Sequence, residues 1–291
     1  MSRRPRRDQR RSRPERYAAA LAGIPVGTVL AFLAAARRGK AVHPHGEVYA
    51  ARLVVGGVPA APTAAQLLAT PGEHAALVRF SRSLGLPRPL PDLLGMSIRV
   101  LDAYGRGQHQ DFLLVSSVDQ PVLHHLFVPA SDAQQQPYSS SLPYRAGGQR
   151  FIVGALPHPD SPRPAGETEL ERVRIAAATG RLRFQLAVAA PMGRFAPVAE
   201  LHVEAPLPTA ADALRFLPLT AGGGLEPVGV LNEMRRYAYP MSQWTWARTR
   251  RDGARLQREA ERLSPLSSVP ARASGEGPGF ALPEGFGESG G

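Results

Sequence analysis

The chain has 291 residues, with 35 Lys and Arg against 24 Asp and Glu, a formal charge of +11, 29 Gly, 29 Pro and no cysteine. The absence of sulfhydryl groups excludes a disulfide scaffold, a cysteine-based zinc site and a thiolate nucleophile. The length allows one substantial domain with tails at both ends.

In chain order, residues 1–16 hold eight arginines against Asp8 and Glu15, more than half of the whole excess charge. A like-charged run without apolar residues cannot offset its ordering entropy, so 1–16 reads as a disordered basic arm, either a solvated tail or a contact for polyanions. Lys40 is the only lysine, so arginine usage is a bias of the whole chain and its charge is weak evidence for nucleic acid. No zinc finger or aromatic RNA-binding motif accompanies it, and nucleic acid is not expected as a partner.

Tyr17 to Ala36 lacks charged side chains and has about the length of a bilayer span or an export signal. Eight of its twenty residues are Ala, and Gly23, Pro25 and Gly27 interrupt it, which makes insertion marginal. A short helical segment over 17–37 is expected, giving a cytoplasmic protein; a membrane-anchored or exported protein through 17–36 is the alternative.

Short apolar runs then alternate with Gly/Pro turns, which predicts strands over 47–55, 75–81, 96–101, 111–117, 183–190 and 198–204. Leu182, Phe184, Leu186 and Val188 fall on one face by two-residue alternation. From Glu226 to about Arg262 the pattern turns helical and basic, and 263–291, rich in Gly, Pro and Ser, reads as a disordered tail. The fold class expected is α+β: a closed or strongly curled antiparallel sheet, followed in sequence by helices. No internal repeat is present.

Three segments carry chemistry. Val42-His43-Pro44-His45-Gly46 places an imidazole before a strand, next to a glycine that permits close backbone approach. No cluster of ligand spacing accompanies the histidines, so a zinc or di-iron site is not expected. Read alone, His43 is an ordinary hydrogen-bonded histidine or a catalyst. Leu77-Val78-Arg79-Phe80-Ser81 puts a guanidinium inside an apolar strand, where a charge needs an anion: a protein carboxylate, or a ligand carboxylate or phosphate. In Arg235-Arg236-Tyr237-Ala238-Tyr239-Pro240, a helical turn would bring the Arg235 guanidinium to the Tyr239 phenol at i, i+4. A cation there favours the phenolate, a hard ligand for ferric iron; the alternative is a surface cation resting on a ring. Pro240 biases Tyr239 away from regular helix, so the pairing requires the last turn to hold.

Together these segments resemble the haem catalases, and especially the short catalase-related peroxidases that retain only the core. Val42-His43-x-x-Gly46 looks like the family's distal Val-His-Ala-Lys-Gly. Val78-Arg79-Phe80-Ser81 is similar to its Val-Arg-Phe-Ser, and Arg235-x-x-x-Tyr239-Pro240 resembles its proximal Arg-x-x-x-Tyr-Pro. Asp92 to Val100, followed by Asp111-Phe112-Leu113-Leu114, resembles the intervening strands. The resemblance covers residues 38 to about 250 and implies a catalase-like antiparallel β-barrel with flanking helices over 38–262.

What the resemblance implies for the site is haem b, with its iron bound by Tyr239, Arg235 holding the phenolate, Val42 lining the distal face and Arg79 meeting a propionate. His43 would move a proton between the oxygens of bound peroxide. The family's distal asparagine falls near Ser116-Ser117, so a hydroxyl, assigned to Ser116, would replace the amide. Lys40 and Leu94 stand where the family has arginines, and Met241-Ser242 replaces its Asp-Thr. The resulting expectation is breakdown of hydrogen peroxide or organic hydroperoxides with weak catalase turnover, an organic reductant or lipid hydroperoxide being a further partner. A catalytically silent haem-binding or interaction protein on the same fold is the alternative.

Overall fold

A computed structural model describes residues 45–83, 90–208 and 214–229. In chain order the elements are β1 (His45–Val55), α1 (Gln66–Ala69), β2 (Gly72–Arg82), β3 (Leu94–Val100) and β4 (Gln110–Ser116). There follow β5 (Tyr138–Ser139), β6 (Tyr144–Ala146), β7 (Gln149–Pro157), α2 (Glu169–Ala178), β8 (Arg183–Ala189), β9 (Ala196–Pro206) and β10 (Leu225–Pro227).

All six expected strands are present, each within a few residues of its expected ends. Together with β5 and β7, which were not expected, they close into an antiparallel barrel in the order β1-β2-β3-β4-β5-β7-β8-β9, with β9 returning to pair with β1. The short strands β6 and β10 extend the end of β7 as a side ribbon. Closure removes the free edges that an open sheet of this size would present.

The barrel is filled rather than hollow. Tyr49 meets Phe80 edge-on at a centroid distance of 5.8 Å, Phe80 meets Phe184 at 5.8 Å, and Tyr138 reaches Phe184 at 6.3 Å. Leu182, Phe184, Leu186 and Val188 all join this core, as their alternation requires. At one end, the buried Arg82 donates to Asp92 at 3.3 Å and to Glu169 at 2.8 Å, tying β2 to the first turn of α2.

Two features depart from expectation. A helix, α2, falls between β7 and β8 instead of after the sheet, and Leu225–Pro227 is a strand where helix was expected. Thr168 caps α2: its hydroxyl accepts from Glu171 N–H at 3.0 Å while the Glu171 carboxylate accepts from the Thr168 N–H. Thr168-x-x-Glu171 is a capping-box signature readable in the sequence. Likewise Gly147-Gly148, between β6 and β7, is a two-residue hairpin turn, with Gly147 at φ +57°. Among the described residues no helix is long and apolar enough to cross a membrane; segment 17–36 lies outside them.

Candidate functional site

Alternation along β1–β4 sends two sets of side chains to opposite faces. Tyr49, Val78, Phe80, Met96, Ile98 and Phe112 enter the barrel core. On the outer face, the pairing register lines up Gly46, Ser81, Gly95 and Val115 in one row, and Val48, Arg79, Ser97 and Leu113 in the next. A third row contains Ala50, Leu77, Arg99 and Asp111.

Arg79 is 5% exposed in the middle of this face. Its guanidinium lies across Gly46: a Cβ at that position would sit 2.7 Å from Arg79 Nη2 and 2.8 Å from its Cζ, and 2.5 Å from the Phe80 carbonyl oxygen. The glycine that the sequence places three residues after His43 is therefore what lets the guanidinium cross β1. Gly46, Ser81, Gly95 and Ser97 are small, so Arg79 stands on a shelf of short side chains in the same two rows as Val48, Leu113 and Val115.

The chain after β9 passes over the same face. Arg99 and Asp111 form a two-pronged ion pair, with Nε and Nη2 each 2.7 Å from a carboxylate oxygen. Arg99 Nη2 also donates to the Arg215 carbonyl at 2.6 Å, Asp111 accepts from Leu217 N–H at 2.7 Å, and the Phe216 ring lies 5.2 Å from the guanidinium carbon. Leu214 and Phe216 pack on Val48 and Leu77 as a second apolar cluster. This strap leads into β10. Arg99 and Asp111 carry the same signal in the sequence that singles out Arg79, a charge inside an apolar strand.

Ser116 stands on the opposite face from Arg79, in the row of Arg82 and Leu94. Its buried hydroxyl accepts from Leu94 N–H at 3.0 Å and donates to the Val128 carbonyl at 2.6 Å. Ser117, on the Arg79 face by alternation, is also occupied: its hydroxyl reaches the carbonyls of His124 at 3.1 Å and Leu126 at 2.8 Å. Both hydroxyls are thus engaged by backbone, so either would orient peroxide only by giving up such a bond. Val42, His43, Arg235 and Tyr239 lie outside the described residues.

A planar macrocycle has no room in the aromatic-filled barrel. On the outer face Arg79 is a buried fork-shaped cation of the kind that suits a carboxylate, next to the apolar cluster of Val48, Leu77, Leu214 and Phe216. Among the described residues no cluster of three or more His, Asp or Glu is placed to hold a bare metal ion.

No protein-family model and no curated protein matches the chain. Among solved structures it is similar to a bacterial catalase at 11% identity, with a TM-score of 0.49, covering 84% of this chain and 64% of that one. It is also similar to a fungal catalase at 10% identity and a TM-score of 0.49, covering 77% and 60% respectively. The chain spans less than two thirds of the length of either catalase.

Proposed function

We propose that the protein is a haem-dependent oxidoreductase that breaks down hydrogen peroxide or organic hydroperoxides, with weak catalase turnover. The observation that carries this reading is Arg79: a buried guanidinium laid across Gly46, at the position the sequence motifs assign to a haem carboxylate. In this reading Tyr239 holds the iron, Arg79 binds a propionate and Val42 lines the distal side. The chemistry that bound haem b would supply is heterolytic cleavage of a peroxide O–O bond, a two-electron reduction of the peroxide.

The chain's own residues do the rest. Arg235 keeps the Tyr239 phenol oxygen deprotonated by placing a positive charge beside it. His43 accepts a proton from one peroxide oxygen and returns it to the other, the one that leaves. The apolar cluster beside Arg79 excludes water from the reacting oxygens, which strengthens every charge interaction there. The weak link is the absent amide: with the Ser116 and Ser117 hydroxyls committed to backbone, peroxide orientation loses a donor of a kind worth ~3–4 kcal/mol elsewhere. That same commitment favours the second reading, a haem-binding protein on this fold that turns over little or nothing.

The test is an absorbance spectrum of the protein purified with haem supplied, followed by two variants. Tyr239→Phe is expected to lose ferric haem. His43→Ala is expected to keep the Soret band and to slow peroxide consumption by ~100-fold or more. A wild-type protein that takes up no haem sinks both readings. Haem binding without any peroxide reaction selects the silent one.

A further inference from the structure

Two adjacent histidines are used neither by the barrel core nor by the proposed chemistry. Between Ser117 and Val128 the chain leaves the barrel as a loop, and its 3-10 turn, Leu123–His125, carries both rings. His125 Nε2 lies 2.8 Å from the Pro191 carbonyl oxygen, and His125 Nδ1 lies 2.8 Å from the Ser141 carbonyl oxygen. A carbonyl oxygen only accepts, and a neutral imidazole has a single N–H to give. Both contacts are hydrogen bonds only when His125 carries a proton on each nitrogen, so the geometry is that of an imidazolium. That one ring ties together three segments distant in sequence: the 117–128 loop, residues 139–142 and the turn after β8.

His124 completes the arrangement by staying neutral. Its Nε2 donates to the same Pro191 carbonyl at 3.2 Å, while its Nδ1 is buried without a partner. A second proton on His124 would find no acceptor. Burial, and then the charge on His125 with its ring 4.7 Å away, hold His124 below the ordinary imidazole range. The other charged groups nearby are Asp119, whose charge acts on His124, and Arg194, which is exposed on the turn after β8. Residues 139–142 carry no ionisable side chain. The backbone is strained on both sides of His125: Val122 at φ +67° and Ser141 at φ +54° are two of the three non-glycine residues in the left-handed region among the described residues. The Ser141 hydroxyl is buried without a partner as well. Such strain persists only where surrounding bonds hold it, and it gathers at segments that switch.

We propose that His125 is a proton-operated clasp: doubly protonated, it holds the 117–128 loop and the 190–193 turn shut, and on losing one proton it releases them. Deprotonation leaves a ring nitrogen lone pair facing a carbonyl oxygen, so one tie becomes a repulsion and the strain at Val122 and Ser141 is relieved by opening. The opening is local, because neither histidine belongs to the barrel's aromatic core. What it changes is Ser117, whose hydroxyl reaches the His124 and Leu126 carbonyls at the base of the closed loop. Once those carbonyls lift away, the hydroxyl is free on the Arg79 face. The clasp works with or without haem; only the value of that freed donor to peroxide rests on the proposed function.

The experiment follows amide hydrogen exchange of the full chain at about pH 5.5 and about pH 8.5, with each rate corrected for the intrinsic effect of pH. Corrected exchange over 122–128 is expected to be at least ~tenfold faster at the higher pH, while β2 and β8 stay unchanged. His125→Gln cannot donate to both carbonyls, so its loop is expected to exchange fast at both pH values. Nitrogen-15 spectra of the wild-type histidine rings need no variant: at the lower pH His125 is expected to show two protonated nitrogens and His124 one. A single ring proton on His125 at the lower pH overturns the proposal. So does wild-type loop exchange that ignores pH, or a pH dependence that survives in His125→Gln. None of these readings involves haem or peroxide, so their failure leaves the proposed function standing, and a protein that takes up no haem leaves the clasp standing.

Discussion

The outer face of β8 and β9 and the outer face of β1–β4 belong to the same barrel and meet different surroundings. On β8 and β9 the outward residues Arg183, Gln185, Glu200 and His202 are half-buried at the surface, with ion pairs such as His202–Glu200 at 3.2 Å and Arg183–Glu200 at 3.7 Å. On β1–β4 the outward residues nearest the 214–222 strap, Val48, Leu77, Arg79, Ser81 and Asp111, are no more than 5% exposed. One barrel wall faces solvent; the other is a second interior, roofed by the 214–222 strap and floored by the shelf. A charge on the first wall is screened and cheap, whereas a charge on the second must be answered by a specific partner.

Asp111→Ala tests that contrast most severely. It strips Arg99 of both carboxylate bonds and releases Leu217 N–H, so unfolding by urea is expected to show a loss of about 3–5 kcal/mol. Faster hydrogen exchange over 214–222 should accompany it. A cost under about 1 kcal/mol would mean the strap is held by something else.

Gly46→Ala is expected to cost about 1–3 kcal/mol, because the added methyl meets the Phe80 carbonyl at 2.5 Å and the β1–β2 pair must shift. Haem affinity should fall with it if Arg79 meets the propionate; stability unchanged to within error would refute the close approach.

Acid should erode the fold gradually. Burial is the leading cause that holds His74, His109, His124 and His202 below the ordinary imidazole range, with Arg99 adding to the effect at His109. For a base whose folded value is depressed, the contribution to stability is present above about pH 6.5 and is lost as pH falls through and below it. The melting temperature is therefore expected to drop between about pH 7.5 and about pH 5.5. A melting temperature that rises over that interval contradicts the assignment.

Arg52→Ala gives the smallest effect. Its ion pairs with Glu204 at 2.5 Å and Glu73 at 3.1 Å join partners that are 38% and 52% exposed, so a loss under about 1 kcal/mol is expected in the same urea titration. A loss like that of Asp111→Ala would erase the distinction between the strap-covered and the solvent-facing parts of the outer surface.

Much of this was legible beforehand. Six of the seven long strands follow from short apolar runs between Gly/Pro turns, several with the two-residue alternation of a half-buried strand; the nine-residue β7 was not among them. The capping box at Thr168-x-x-Glu171 and the Gly147-Gly148 turn were equally readable, and overlooking them left α2 and the β6–β7 hairpin unexpected. The two-residue strand β5 offered no period long enough to detect.

By itself the sequence determined the alternating strands, the missing thiol chemistry, the arginine-rich arm and the isolated charge at Arg79. Those are properties of single residues or of near neighbours along the chain. Only the tertiary structure decided that Arg79 lies across Gly46, that Asp111 holds a strap more than a hundred residues away, and that the Ser116 hydroxyl is spent on Leu94 and Val128. Each is fixed by the register of strands distant in sequence, and register is set by how the whole barrel closes around its aromatic core.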